Sequence, residues 1–106
     1  MNKNRIKQLL TFYSEDPNDP FTIYALANEF KDEDPKKALE YFEILIRNHP
    51  KYTATYYHLG HLYISLEEIE KAKSIFEKGI EIATMNNDTL ALRELKNAYN
   101  ELMMGF

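Results

Sequence analysis

Residues 56–79 read YYHLGHLYISLEEIEKAKSIFEKG, and their large apolar and small residues recur every three or four positions. One face of a first helix would carry Tyr56, Leu59, Gly60 and Tyr63, and one face of a second helix would carry Ala72, Phe76 and Gly79. A spacing of three and four residues is typical of amphipathic helices with one buried face. The stretch therefore predicts two successive helices joined by a short turn.

The same pattern occurs earlier in the chain. Offset by 33 residues from the first helix lie Ile23, Leu26, Ala27 and Phe30, and offset by 34 from the second lie Ala38, Phe42 and Leu45. A period of 33 to 34 residues is typical of a stack of helix pairs, in which small residues let the paired helices approach closely. Ala27, Gly60, Ala38 and Ala72 are the small residues at these positions.

Helical periodicity extends over the whole chain, and no segment alternates as a strand would. We predict about six helices, over residues 3–14, 21–31, 35–48, 53–65, 67–84 and from Thr89, with Asp34 and Asp88 as caps. The first helix would direct Ile6, Leu9, Leu10 and Tyr13 inward, the fifth Ile69, Ala72, Ile75, Phe76, Gly79 and Ile80, and the sixth Leu92, Leu95, Tyr99, Leu102 and Phe106. The fold class is all-α.

These motifs resemble the tetratricopeptide repeat, whose pattern is W-x2-L-G-x2-Y followed by A-x3-F, with Tyr56 here in place of tryptophan. The resemblance implies a right-handed superhelical stack of antiparallel helix pairs forming one domain over residues 1–106. Within it, residues 3–19 would be an N-terminal half-repeat helix and turn, 20–52 and 53–86 two repeats, and 87–106 a C-terminal capping helix. Pro50 ends the first repeat as the family pattern expects, whereas Thr84 occupies that place in the second.

Composition excludes several functional classes. The chain of 106 residues has a net charge of −4, so we expect no nucleic-acid partner. It contains no cysteine, which excludes disulfides and thiolate metal sites, and its apolar runs are too short for a membrane span or a signal peptide. We predict a cytoplasmic protein without membrane partners.

In the resembled family, the first helix of each pair lines a concave groove that binds peptide or protein segments. Carried over to this sequence, the groove residues would be Phe21, Tyr24, Asn28, Lys31, Tyr57, His58, His61 and Ile64. One family subset grips a C-terminal carboxylate, but only Asn28 matches that set here, since Tyr24 and His58 replace a lysine and an asparagine. We therefore expect a protein-binding adaptor without such a carboxylate clamp.

We predict no enzyme, no cofactor and no metal site. Gly60, Gly79 and Gly105 form no phosphate-binding loop, and no serine has a recognisable triad context. The spacing of His58 and His61 would allow a metal-dependent enzyme only with a third ligand from another helix. A second alternative is self-association as a homodimer, because the segment from Met103 to Phe106 is apolar.

Overall fold

The computed structural model describes residues 2–105, which contain six α-helices and no strand. The helices are α1 (Lys3–Glu15), α2 (Pro20–Phe30), α3 (Pro35–Asn48), α4 (Ala54–Ser65), α5 (Ile69–Met85) and α6 (Thr89–Met103). This confirms the predicted all-α class and the predicted number of helices. A boundary between Tyr52 and Thr53 divides the chain into two compact units, unit 1 with α1 to α3 and unit 2 with α4 to α6.

Unit 1 is built around α2, which packs against both α1 and α3. The inward face of α2 carries Ile23, Leu26 and Ala27, none of which exposes any surface, and Phe42 of α3 is equally buried. Tyr41 stacks on Phe30 with ring centroids 6.0 Å apart and meets Tyr13 of α1 edge-on at 5.8 Å. Aromatic rings from all three helices therefore complete the core of this unit.

Unit 2 is built around α5, which packs against α4 and α6, and α4 also contacts α6. Its core contains Tyr56, Leu59, Phe76 and Leu95, each almost wholly buried. Gly79 of α5 lies so close to α4 that an added Cβ would be 2.5 Å from the Cβ of Tyr56. Two glycines of the repeat signature, Gly60 and Gly79, thus lie in the α4–α5 contact where an added Cβ atom would not fit.

Aspartate side chains cap the first turn of three helices, α2, α3 and α6. The Oδ1 of Asp19 accepts the amide of Phe21 at 3.2 Å, and Asp34 does the same for Lys37 at 3.3 Å. Asp88 accepts the amide of Ala91 at 3.1 Å. Both predicted caps, Asp34 and Asp88, are confirmed, and α3 begins at the proline that follows its cap.

The turn between α4 and α5 corrects one predicted boundary. We expected the fifth helix to begin at residue 67, but Glu67 has a left-handed backbone with φ of 61°, and the helix begins at Ile69. The amide of Glu68 donates to the carbonyl of Tyr63 at 2.8 Å and that of Glu67 to Ile64 at 2.9 Å, the pattern of a Schellman helix end. Asn87, with φ of 56°, ends α5 in the same way.

Two residues predicted to point inward are exposed. Leu10 is 41% exposed because α1 packs mainly against α2, so only one side of α1 is covered, and that side carries Ile6 and Leu9. Ile69 is also 41% exposed, since it is the first residue of α5 and follows the turn directly. Phe106, predicted for the apolar stripe of the sixth helix, lies outside the described residues. The other helix boundaries agree with prediction to within one residue.

Candidate protein-binding surfaces

The outer face of α4 carries four of the predicted groove residues, Tyr57, His58, His61 and Ile64. Helical periodicity sets this face beside the buried one, because Tyr56, Leu59 and Gly60 turn toward the core. Tyr57, His58 and Ile64 are partly exposed, and His61 is exposed. We refer to these four residues as the α4 face.

The rings of the α4 face contact one another. The centroids of Tyr57 and His61 are 4.5 Å apart, and those of Tyr57 and His58 are 5.4 Å apart. His61 also meets the buried ring of Phe76 of α5 at 5.4 Å, with the two planes inclined by 69°. The imidazole of His61 is therefore held between the partly exposed ring of Tyr57 and the buried ring of Phe76. Because its motion is already restricted, less side-chain entropy would be lost when a partner binds.

The other four predicted residues are Phe21, Tyr24 and Asn28, on the outer face of α2, and Lys31, which directly follows this helix. We call these four residues the α2 face. Phe21 is 59% exposed, and the other three are partly exposed. The ring of Tyr24 lies 5.7 Å from that of Tyr52, the residue that ends unit 1. Tyr52 is not among the residues predicted from the sequence, because it lies between α3 and α4 and not on the first helix of a pair.

Asn28 has an unusual environment on the α2 face. Its Oδ1 atom is buried but accepts no hydrogen bond from the protein. An unsatisfied buried acceptor costs about 1–3 kcal/mol, and because Oδ1 is shielded from solvent, a donor of a partner could reach it only if the side chain of Asn28 moved.

Burial affects the electrostatics of the neighbouring tyrosine. Loss of solvent raises the pKa of Tyr52, and the neighbouring Tyr24 and Asp19 raise it further. Tyr52 therefore stays neutral at physiological pH. Its hydroxyl can both donate and accept hydrogen bonds, which suits a polar segment better than a cation.

Charge is distributed unequally between leading and trailing helices. α4 contains no aspartate, glutamate, lysine or arginine, and of these residue types α2 contains only Glu29. The trailing helices are rich in charge, with Lys36, Lys37, Glu40, Glu43 and Arg47 in α3 and Glu70, Lys71, Lys73, Glu77, Lys78 and Glu81 in α5. Protein interfaces are depleted of charge and enriched in aromatic residues at their centres, and the α4 face has this composition, as does the α2 face apart from Lys31.

The residues suited to metal binding are few. His58 and His61 lie one turn apart on α4, and both rings contact Tyr57. Within residues 2–105, no three histidine, aspartate or glutamate side chains lie together so that they could hold a metal ion. The third ligand that a metal-dependent enzyme would require is therefore not supplied by the part of the chain that the structure describes.

Residues 53–84 match the family model for the tetratricopeptide repeat. The solution structure of a tetratricopeptide repeat domain protein from Salinibacter ruber is 40% identical in sequence, with 86% of this chain and 93% of that chain covered and a TM-score of 0.81. The crystal structure of such a protein from the same organism is 39% identical, over 83% of this chain and 99% of that one, with a TM-score of 0.78.

A protein from Bordetella parapertussis has the same fold at 16% identity, over 93% of this chain and 87% of that chain, with a TM-score of 0.80. No curated protein matches the chain significantly. Among the helices of residues 2–105, none combines the length and the apolar character that a membrane crossing requires.

Proposed function

Because the chain belongs to the tetratricopeptide repeat family, we propose that it is a non-catalytic adaptor that binds a peptide or protein segment through the α2 and α4 faces. Phe21, Tyr24, Asn28 and Lys31 would contact the partner from unit 1, and Tyr57, His58, His61 and Ile64 from unit 2. We also propose that the protein acts in the cytoplasm, as the composition predicts.

One observation carries this proposal, namely that a helix without charged residues keeps an aromatic face in contact with solvent. A helix at a protein surface ordinarily carries charged residues on its exposed side. α4 instead leaves His61 exposed and Tyr57, His58 and Ile64 partly exposed. Rigid rings of this kind provide contact area at low entropic cost, and their polar atoms can orient a bound segment.

The α4 face can be tested with a matched pair of tyrosine variants. Tyr57→Ala should lower capture of partner proteins from a lysate of the source cells by about tenfold or more, since aromatic anchors often contribute over ~1.4 kcal/mol. Tyr63→Ala is the control, because Tyr63 is a partly exposed tyrosine of the same helix that lies near Lys71 and outside the α4 face. Quantitative mass spectrometry of the captured proteins is the measurement.

The two variants separate binding from folding. Circular dichroism should give both variants the helical content of the unaltered protein. Equal capture by the Tyr57→Ala variant and the unaltered protein would contradict a role for the α4 face. An equal loss with Tyr63→Ala would indicate a general effect on unit 2 instead of a binding contact.

Self-association is the second candidate function, and it is favoured by exposed apolar residues in α6 and at Met104, which directly follows this helix. Leu90, Met103 and Met104 are 56%, 51% and 68% exposed. If these residues form a homodimer contact, sedimentation equilibrium should show a dimer that Met103→Ser together with Met104→Ser converts to a monomer. A monomer at all concentrations would leave the adaptor function as the sole candidate.

A further inference from the structure

A second apolar surface lies within unit 1, in a cleft of about 450 Å³ between α1 and α2. Leu9, which is only 5% exposed, lies at its base beside the buried Thr22. Phe12 of α1 and Phe21 of α2 lie along it and are 54% and 59% exposed. We call this surface the α1–α2 cleft, and Phe21 is the only residue that it shares with the α2 face.

The two phenylalanines are unusual for a protein surface. Exposed phenylalanine is costly in water, and a pair bordering one concavity is typical of an interaction site. Each aromatic side chain can bury about 150–250 Å² of surface, and such residues dominate the binding energy when a partner covers them. The cleft can therefore accommodate a bulky apolar side chain between Phe12 and Phe21, above Leu9.

Charge around the cleft indicates the kind of partner. Glu15, Asp16 and Asp19 line it, and its one cation, Arg5, is paired with Glu29 through Nε and Oε1 atoms 2.7 Å apart. The carboxylates of Asp16 and Asp19 also accept backbone amides, from Asn18 and Phe21 respectively. The cleft is thus apolar at its centre and negative at its border.

We infer that the α1–α2 cleft binds a segment of another protein in which a leucine, phenylalanine or methionine side chain is flanked by lysine or arginine. The apolar side chain would enter between the two phenylalanines, and the basic groups would face Glu15, Asp16 and Asp19. A second copy of this chain is disfavoured at this cleft because, in a symmetric contact, Glu15, Asp16 and Asp19 of the two copies would face one another. The α4 face takes no part in this site.

The probe is a short synthetic peptide that contains two leucines, one phenylalanine and three lysines and has blocked ends. It is titrated into the isotope-labelled full chain while amide chemical shifts are followed by NMR. We expect saturable shifts at Leu9, Phe12 and Phe21. A peptide with glutamate in place of lysine, and one with serine in place of leucine and phenylalanine, should each bind at least about tenfold more weakly.

Matched variants locate the binding site. Phe12→Ser should weaken peptide binding roughly tenfold, whereas Leu10→Ser removes a similarly exposed apolar side chain of α1 outside the cleft and should leave the dissociation constant unchanged. Glu15→Lys should weaken binding and reduce its salt dependence. Glu15 is chosen because Asp16 and Asp19 also accept backbone hydrogen bonds, and Glu43→Lys on α3 is its charge control.

Several outcomes would overturn the inference. The inference would be wrong if the basic peptide did not bind detectably, or if the acidic peptide bound with equal affinity. It would also be wrong if Phe12→Ser and Leu10→Ser weakened peptide binding equally. Sedimentation that shows a dimer abolished by Phe12→Ser would identify the occupant as a second copy instead. Tyr57→Ala should leave peptide binding unchanged, so failure of this site and failure of the α4 face are distinguishable.

Discussion

Gly60 shows how strongly one residue constrains the packing of α4 on α5. A Cβ atom added at Gly60 would be 2.6 Å from Cζ of Phe76, well inside van der Waals contact. The ring of Phe76 exposes no surface, so it cannot move aside into solvent. The same ring supports His61 of the α4 face, which ties the packing at Gly60 to the proposed binding surface.

Gly60→Ala should therefore destabilise the protein. Alanine is the better helix former by about 1 kcal/mol, but overpacking a filled core costs about 1–3 kcal/mol, and the buried ring favours the upper part of that range. We expect the free energy of unfolding in urea to fall by about 1 kcal/mol or more. Ser74→Ala, at an exposed site of α5, should change it by less than about 0.5 kcal/mol. A gain in stability with Gly60→Ala would contradict this account.

At the scale of elements, two helix ends depend on a residue in the left-handed region. Glu67 and Asn87 occupy equivalent places after α4 and α5, and their φ values differ by only a few degrees. Asparagine tolerates this conformation well, whereas for most residues it costs roughly 1–2 kcal/mol. The turn before α5 is therefore the more strained of the two.

Glu67→Gly should relieve that strain and raise the free energy of unfolding by about 0.5–1 kcal/mol, after allowance for the greater freedom of glycine in the unfolded chain. Asn87→Gly should have a smaller effect, because asparagine already suits the position. Urea unfolding followed by circular dichroism measures both changes. A larger gain at Asn87 than at Glu67 would show that the backbone conformation is not the cause.

Asp88 joins three elements of unit 2. Its amide donates to the carbonyl of Ala83 at the end of α5, its Oδ1 caps α6, and its Oδ2 accepts the hydroxyl of Thr53 before α4 at 2.9 Å. One side chain thus fixes where α6 begins relative to α4. The cap of α3 at Asp34 makes only the single side-chain bond, at 3.3 Å.

Asp88→Ala should lower the free energy of unfolding by about 1–2 kcal/mol, because both the cap and the bond to Thr53 are lost. Asp34→Ala should cost less, about 0.5–1 kcal/mol, since its single bond is longer. Asp88→Asn preserves an acceptor and should fall between Asp88→Ala and the unaltered protein. Equal losses at Asp88 and Asp34 would contradict a role for the contact with Thr53.

At the scale of the whole molecule, buried tyrosines link stability to alkaline pH. Burial raises the pKa of Tyr41 and Tyr56 above the ordinary value of 10.0, and the nearby carboxylates of Glu40 and Glu81 raise them further. The unfolded chain therefore loses these protons at a lower pH than the folded chain does. The resulting stabilisation is fully present below 10.0 and is lost as the pH rises through the folded-state pKa.

The free energy of unfolding should thus decline as the pH is raised beyond 10.0. Urea unfolding at a series of pH values, with tyrosinate absorbance as a direct record of ionisation, measures this. Tyr56→Phe should make the decline shallower, because it removes one ionisable group whose pKa is raised by burial. The substitution leaves the number of lysines unchanged. An identical slope in this variant would show that Tyr56 does not contribute.

The sequence by itself determined the six helices, their all-α packing and most of their ends, because amphipathic spacing and aspartate caps act over a few residues. It also indicated the small residues where helices approach, since Ala27 and Gly60, and likewise Ala38 and Ala72, occupy equivalent positions of the repeat pattern. The turn at Glu67 was not predictable, because glutamate is rarely found with a left-handed backbone.

Only the tertiary structure decided how much of each helix face is covered by neighbouring helices. Leu9 and Leu10 are equivalent in the sequence pattern, yet Leu9 lies at the base of the α1–α2 cleft while Leu10 is exposed. The contact of His61 with Phe76, the unsatisfied Oδ1 of Asn28 and the exposed pair of Phe12 and Phe21 likewise depend on residues from different positions in the chain. Local periodicity selects which side of a helix is apolar, but the neighbouring helix determines how much of that side is covered.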